Sequence, residues 1–100
     1  MPDSYGNTFA GDGAKTVASA GKPAQLIASA RGIRNIDVTA ATSNTGLIVI
    51  GGSTVIAAGA SRRGTPLGPG DTWSQDIQDA TAVWIDAEIS GNGVVFSYIG

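Results

Sequence analysis

Apolar and polar residues alternate with a period of two along much of this chain, the signature of strands with one face buried. The clearest case is Val83, Ile85, Ala87 and Ile89, interleaved with Trp84, Asp86 and Glu88. Ile36, Val38 and Ala40 alternate with Asp37 and Thr39 within a strand expected over 33–41. Trp73, Gln75 and Ile77 take one face of another strand, and Thr72, Ser74 and Asp76 take the other. In the last strand, Val94 to Ile99, Val94, Phe96 and Tyr98 oppose Val95, Ser97 and Ile99. Leu47 to Ile50 does not alternate. This apolar run between Gly46 and Gly51-Gly52 reads as a strand buried on both faces, and as the centre of the core.

Weaker signals fill the gaps. Lys15–Ala20 reads as the first strand, closed by Gly21-Lys22-Pro23. Ala24–Ala30 has helical propensity, but it is short and bounded by Pro23 and Gly32, which favours a strand. Thr54–Ala58 reads as a short edge strand and 60–70, with Pro66 and Pro69-Gly70, as a loop. Ser90-Gly91-Asn92-Gly93 fits a type I′ hairpin turn. Residues 1–13 show no period and read as an N-terminal arm, either mobile or ordered on a partner through Tyr5 and Phe9. The expectation is an all-β, single-domain β-sandwich of about eight short strands over 14–100, preceded by that arm.

Composition supports strands over helices. There are 15 glycines in 100 residues and a single glutamate, so exposed helical faces lack their usual charged residues. The absence of cysteine and histidine removes disulfides, thiolate chemistry and the commonest general base and metal ligand. A net charge of −2, with six scattered Lys and Arg, gives no field for a phosphate backbone, so nucleic acid is not expected as a partner. No apolar run is long enough for a membrane span. No secretion signal is visible, so synthesis and folding in the cytoplasm are expected.

Candidate chemistry is sparse. Gly51-Gly52-Ser53 after a buried strand suggests a dinucleotide-binding turn, but Ser53 and Ile56 stand where that fingerprint needs glycine. Gly59, Gly64 and Pro66 would also cut short the helix it requires. Asp86 and Glu88 share a strand face and could act as a carboxylate pair, or form a solvated or interface-facing row. Asp76 and Asp79 suit turn capping better than calcium binding. Arg62-Arg63 in the long loop suits an acidic partner surface, or solubility alone. Trp73 and Trp84 read as core or interface anchors, and Trp84, opposite the aliphatic row, as the preferred interface residue. No cofactor or metal is expected.

The order of motifs resembles small β-sandwich virion proteins of tailed bacteriophages. The residues that carry it are Ser43-Asn44-Thr45-Gly46, the strand ending Gly51-Gly52-Ser53, Pro66-Leu67, Pro69-Gly70-Asp71, Val83–Ala87, and Gly91-Asn92-Gly93-Val94 with Phe96 and Tyr98. The resemblance covers about residues 14 to 100 and rests on turns and strands rather than a chemical signature. It implies a jelly-roll-like sandwich without enzymatic activity, acting as a capsid decoration or cement protein on the capsid exterior. A homo-oligomer, with a trimer as first expectation, would bind the major capsid protein. The alternative within the same resemblance is a carbohydrate- or receptor-binding fibre module that uses Trp73 or Trp84 as a sugar platform. A small carboxylate-based hydrolase built on Asp86 and Glu88 is the remaining class.

Overall fold

The computed structural model describes residues 10–28 and 32–100. It is all-β, with eight strands: β1 (Ala10–Thr16), β2 (Ala24–Gln25), β3 (Asn35–Ala40), β4 (Ile48–Gly51), β5 (Thr65–Leu67), β6 (Thr72–Asp76), β7 (Trp84–Ala87) and β8 (Gly93–Ile99). Two four-stranded sheets face each other, in the orders β1-β8-β3-β6 and β2-β7-β4-β5, and every pairing is antiparallel. Pairs β1·β8, β2·β7, β3·β6 and β4·β5 nest inside one another. The chain is therefore one long hairpin, folded over so that alternate segments fall in opposite sheets. Every connection except β4–β5 crosses between sheets, which is jelly-roll topology.

The expected strands form the interior. Ile36, Val38 and Ala40 of β3 and Val94 of β8 face Ile48 and Ile50 of β4 and Ile85 and Ala87 of β7, all buried. Val17, Leu26, Ile33, Leu67, Ala80 and Val83 close the ends of this core. At roughly 1.5–3 kcal/mol for each fully buried large aliphatic side chain, this cluster is the main stabilising term.

Strand β4 is buried on both faces, as its unbroken apolar run requires. Ile48 and Ile50 point into the sandwich, while Val49 (0 % exposed) points out of it. A second cluster of Val49, Val55 and Ala57, with Trp84 packed against it, covers that outer side. The covering segment is the long β4–β5 connection. Residues Thr54–Ala58, expected as an edge strand, instead fold back over the sheet and keep only an Ile56–Arg63 bridge. That connection ends sooner than expected, because β5 occupies Thr65–Leu67 within the segment read as a loop. Gly51-Gly52 begins this turn and only the three-residue 3-10 turn Gly59–Ser61 follows before β5, with no α-helix, so the phosphate-cradle reading fails on structure as well as on motif.

Three other expectations shift. The first strand starts at Ala10 and ends at Thr16, so residues 10–13 belong to β1 and not to an arm. The sequence hides this because β1 contributes little bulk: the Tyr98 ring occupies the space a Cβ of Gly11 would fill, and Phe96 lies over Gly13. Residues Ser90–Gly93 do not make a hairpin, since β7 and β8 lie in different sheets and the turn carries the chain between them. Strand β7 ends at Ala87, which leaves Ile89 46 % exposed. Residues 24 and 25 do form a strand, as favoured, although the rest of that segment is loop as far as the described residues reach.

Candidate functional site

The residues with the most chemistry lie on the outer side of the β2-β7-β4-β5 sheet, and they are engaged in structure. Asp86 is 1 % exposed and directly opposite Val49 in the ladder. Its Oδ1 accepts from Gly21 N–H (3.0 Å) and Ala87 N–H (2.9 Å), and its Oδ2 accepts from Ala57 N–H (2.9 Å). The solvated row expected of Asp86 and Glu88 is thus replaced by a buried carboxylate that ties two loops to β7. Three amide donors balance the charge, which burial alone would make costly.

Glu88 serves a different clasp. Its Oε1 accepts from Leu47 N–H (2.9 Å), and Oε2 pairs with Arg62 (2.6 Å). Arg62 also donates from Nε and Nη2 to the Ala57 carbonyl (3.2 Å each). Asp86 and Glu88 therefore hold the covering loop from its two sides rather than converge on a substrate. Arg63, the other half of the arginine pair, is exposed, and its backbone bridges Ile56.

Trp84 is half-buried against Val49, Val55 and Ala57, so its covered side braces this chain's own loop. Trp73 is half-buried against the main core. Tyr5 and Phe9 lie outside the described residues.

Sequence reasoning passed over two buried asparagines that join the loops at one end of the sandwich. The Asn44 side chain donates from Nδ2 to the Gly93 carbonyl (2.8 Å) and accepts at Oδ1 from Gly93 N–H (3.0 Å), so it pairs as a strand residue would. Asn92 Oδ1 accepts from Thr45 N–H and Gly46 N–H (3.0 Å each). The visible signal is the pair of Asn-containing turns, read there as local turn chemistry only.

The opposite sheet presents the open surface. Outward positions on β1, β8, β3 and β6 run Ala10, Asp12, Ala14, Thr16; Val95, Ser97, Ile99; Asn35, Asp37, Thr39; and Thr72, Ser74, Asp76. Ladder register lines Asp12, Ser97, Asp37 and Ser74 into one row across the sheet. Every charge at these positions is acidic, most side chains are short, and Val95 (50 %) and Ile99 (37 %) stand exposed among them. Thr39 and Thr72 hydroxyls share a hydrogen bond (2.8 Å), which fixes part of the face.

A polar groove opens at the end of this sheet, between Arg34, Asn35, Asp76, Gln78 and Asp79, over Ile33, Ile77 and Ile99. Several of its polar groups are partnered: Asn35 Nδ2 donates to Asp76 (2.9 Å), and Asp79 Oδ1 accepts from the Thr81 amide (2.9 Å) and hydroxyl (2.7 Å). The two Thr81 hydrogen bonds, the hydroxyl's first, hold the Asp79 carboxyl below its ordinary value of 3.8. Asp79 thus caps the 3-10 turn Ala80–Ala82, the turn-capping role expected from sequence. Among the described residues no cluster of three or more acidic side chains is placed to hold a metal ion.

Comparisons with family models, curated proteins and solved structures return no match.

Proposed function

We propose that this chain is a virion structural protein, acting as a capsid decoration or cement module without catalytic activity, on the exterior of a tailed-phage head. The observation that carries the reading is the division of labour between the two sheets. Nearly every distinctive polar group on one side is spent holding a loop, while the other side offers a four-stranded, short-chained face with two exposed aliphatics. Such a face suits association through many weak contacts rather than through one reactive group. Its uniformly acidic charge suits a basic partner surface and would make attachment sensitive to salt. The jelly roll itself serves capsid proteins, lectins and enzymes alike, so the surface and not the fold bears the reading.

The test is co-sedimentation of the purified chain with heads assembled in its absence, beside a glycan array. Saturable binding to heads with a silent array supports decoration. Strong, specific glycan binding without head binding replaces it with the receptor-binding module.

A further inference from the structure

We propose that the outer edge of β1, which no strand among the described residues pairs, is a self-pairing strand through which two copies of this chain join about a two-fold axis at Gly13. The backbone bonds at the end of β1 set the alternation: Val17 N–H donates to the Asn92 carbonyl (2.9 Å), and Gly91 N–H donates to the Val17 carbonyl (2.9 Å). Odd-numbered residues of β1 therefore turn their backbone groups toward β8. The N–H and C=O groups of Ala10, Asp12, Ala14 and Thr16 point the other way, where no strand among the described residues pairs with them. This edge runs seven residues in unbroken register, without proline. The other sheet edges are shorter: β2 has two residues, β5 has three with Pro66 at its middle, and β6 has five. A long edge that no described strand pairs is a template for another strand.

The side chains point to a second copy as the occupant. An antiparallel pairing centred on Gly13 uses all seven residues and sets outward-facing even positions against even positions, as a ladder requires. It places Asp12 opposite Ala14 of the second copy, Ala10 opposite Thr16, and Gly11 opposite Lys15, so no like charges meet. A pairing centred on Asp12 would set the two Asp12 carboxylates against each other. Gly11 has no side chain, and the Tyr98 ring fills the space above it. Lys15 of the second copy would then lie across that ring, where a cation is attracted to the π-face. Symmetry makes this contact twice. The joined sheets form one continuous eight-stranded surface with both acidic faces on the same side.

This two-fold pairing deepens the reading of the chain as an assembly module and rests on it, but it replaces the three-fold oligomer that the resemblance suggests. Sedimentation equilibrium of the full chain, from micromolar to millimolar, reads it directly. A monomer–dimer equilibrium is expected. Ala14→Pro removes only an outward-facing N–H, a position at which an edge strand tolerates proline, and should give a monomer with an unchanged circular dichroism spectrum. Ala14→Asp, opposite Asp12, should weaken association roughly tenfold, whereas Ala14→Lys should not. These two variants keep the test decisive if Ala14→Pro unfolds. A register check comes from Asp12→Cys with Ala14→Cys in this cysteine-free chain, which should oxidise to a covalent dimer. A chain monomeric at millimolar concentration, a trimer, a dimer untouched by Ala14→Pro, or equal effects of Asp and Lys at position 14 would overturn the pairing. Head binding is a separate readout: a monomer that binds heads defeats the pairing alone, and a dimer that ignores them defeats the module reading.

Discussion

Replacing Asp86 probes how the fold holds its covering loop. Asp86→Asn keeps the volume and removes one acceptor. With its oxygen kept at the Gly21 and Ala87 amides, the new NH2 group must face Ala57 N–H, donor against donor. Ala57 is wholly buried, so no water can repair the loss. One orphaned buried N–H costs about 2 kcal/mol. For a domain of this size that lowers Tm by about 10 °C. Asp86→Ala strips all three acceptor contacts. Gly21 is exposed and can turn to water, but the Ala57 and Ala87 amides cannot. Two orphans and a small cavity bring the cost to roughly 4 kcal/mol, a large part of the stability of a small domain. Urea unfolding monitored by tryptophan fluorescence reads the series, with the midpoint falling from Asp to Asn to Ala at constant slope. Asp86→Asn within about 0.5 kcal/mol of the parent, or as damaging as Asp86→Ala, would refute the three-amide account.

Other substitutions test separate joints. Asn44→Ala removes both hydrogen bonds to the Gly93 backbone and should cost about 2 kcal/mol by chemical denaturation, since Gly93 is buried. Gly64 has φ +114, and a Cβ there would lie 2.7 Å from the Ile50 carbonyl oxygen and 2.8 Å from Val49 and Val55. Gly64→Ala should therefore lose roughly 3 kcal/mol in the same assay, from backbone strain and overpacking together. The Asp79 cap should persist at neutral pH and fail in acid. Its carboxyl titrates below 3.8 when folded, so the contribution is present above that value and lost as pH falls through the lower folded one. An NMR titration of the Thr81 amide should show a midpoint below 3.8, and a midpoint at or above it would contradict the capping geometry.

Much of the architecture was legible because the sandwich obeys alternation. β3 and β8 each show one covered and one more open face, and their sequences alternate accordingly, whereas in β6 only Trp73 is partly covered. The run at Leu47–Ile50 announced a strand covered on both sides, although not what covers it. Asp86 shows the limit. Its burial depends on a segment about thirty residues earlier folding over β7, and nothing local distinguishes it from a solvated aspartate. The face opposite Ile85 looked polar because a charged group with three amide donors can sit where an aliphatic one usually does. β1 escaped for the converse reason: its glycines leave the packing to Phe96 and Tyr98, so half the pattern is written on another strand. The Asn44 and Asn92 pairings likewise join turns nearly fifty residues apart in sequence, beyond any local reading.

The stoichiometry of the chain on heads assembled without it tests the proposed role most directly. Decoration predicts saturable co-sedimentation at a fixed number of chains per capsomer, weakened by high salt because the open face is acidic. A chain that stays in the supernatant at concentrations well above its own self-association, at low and high salt alike, would contradict it.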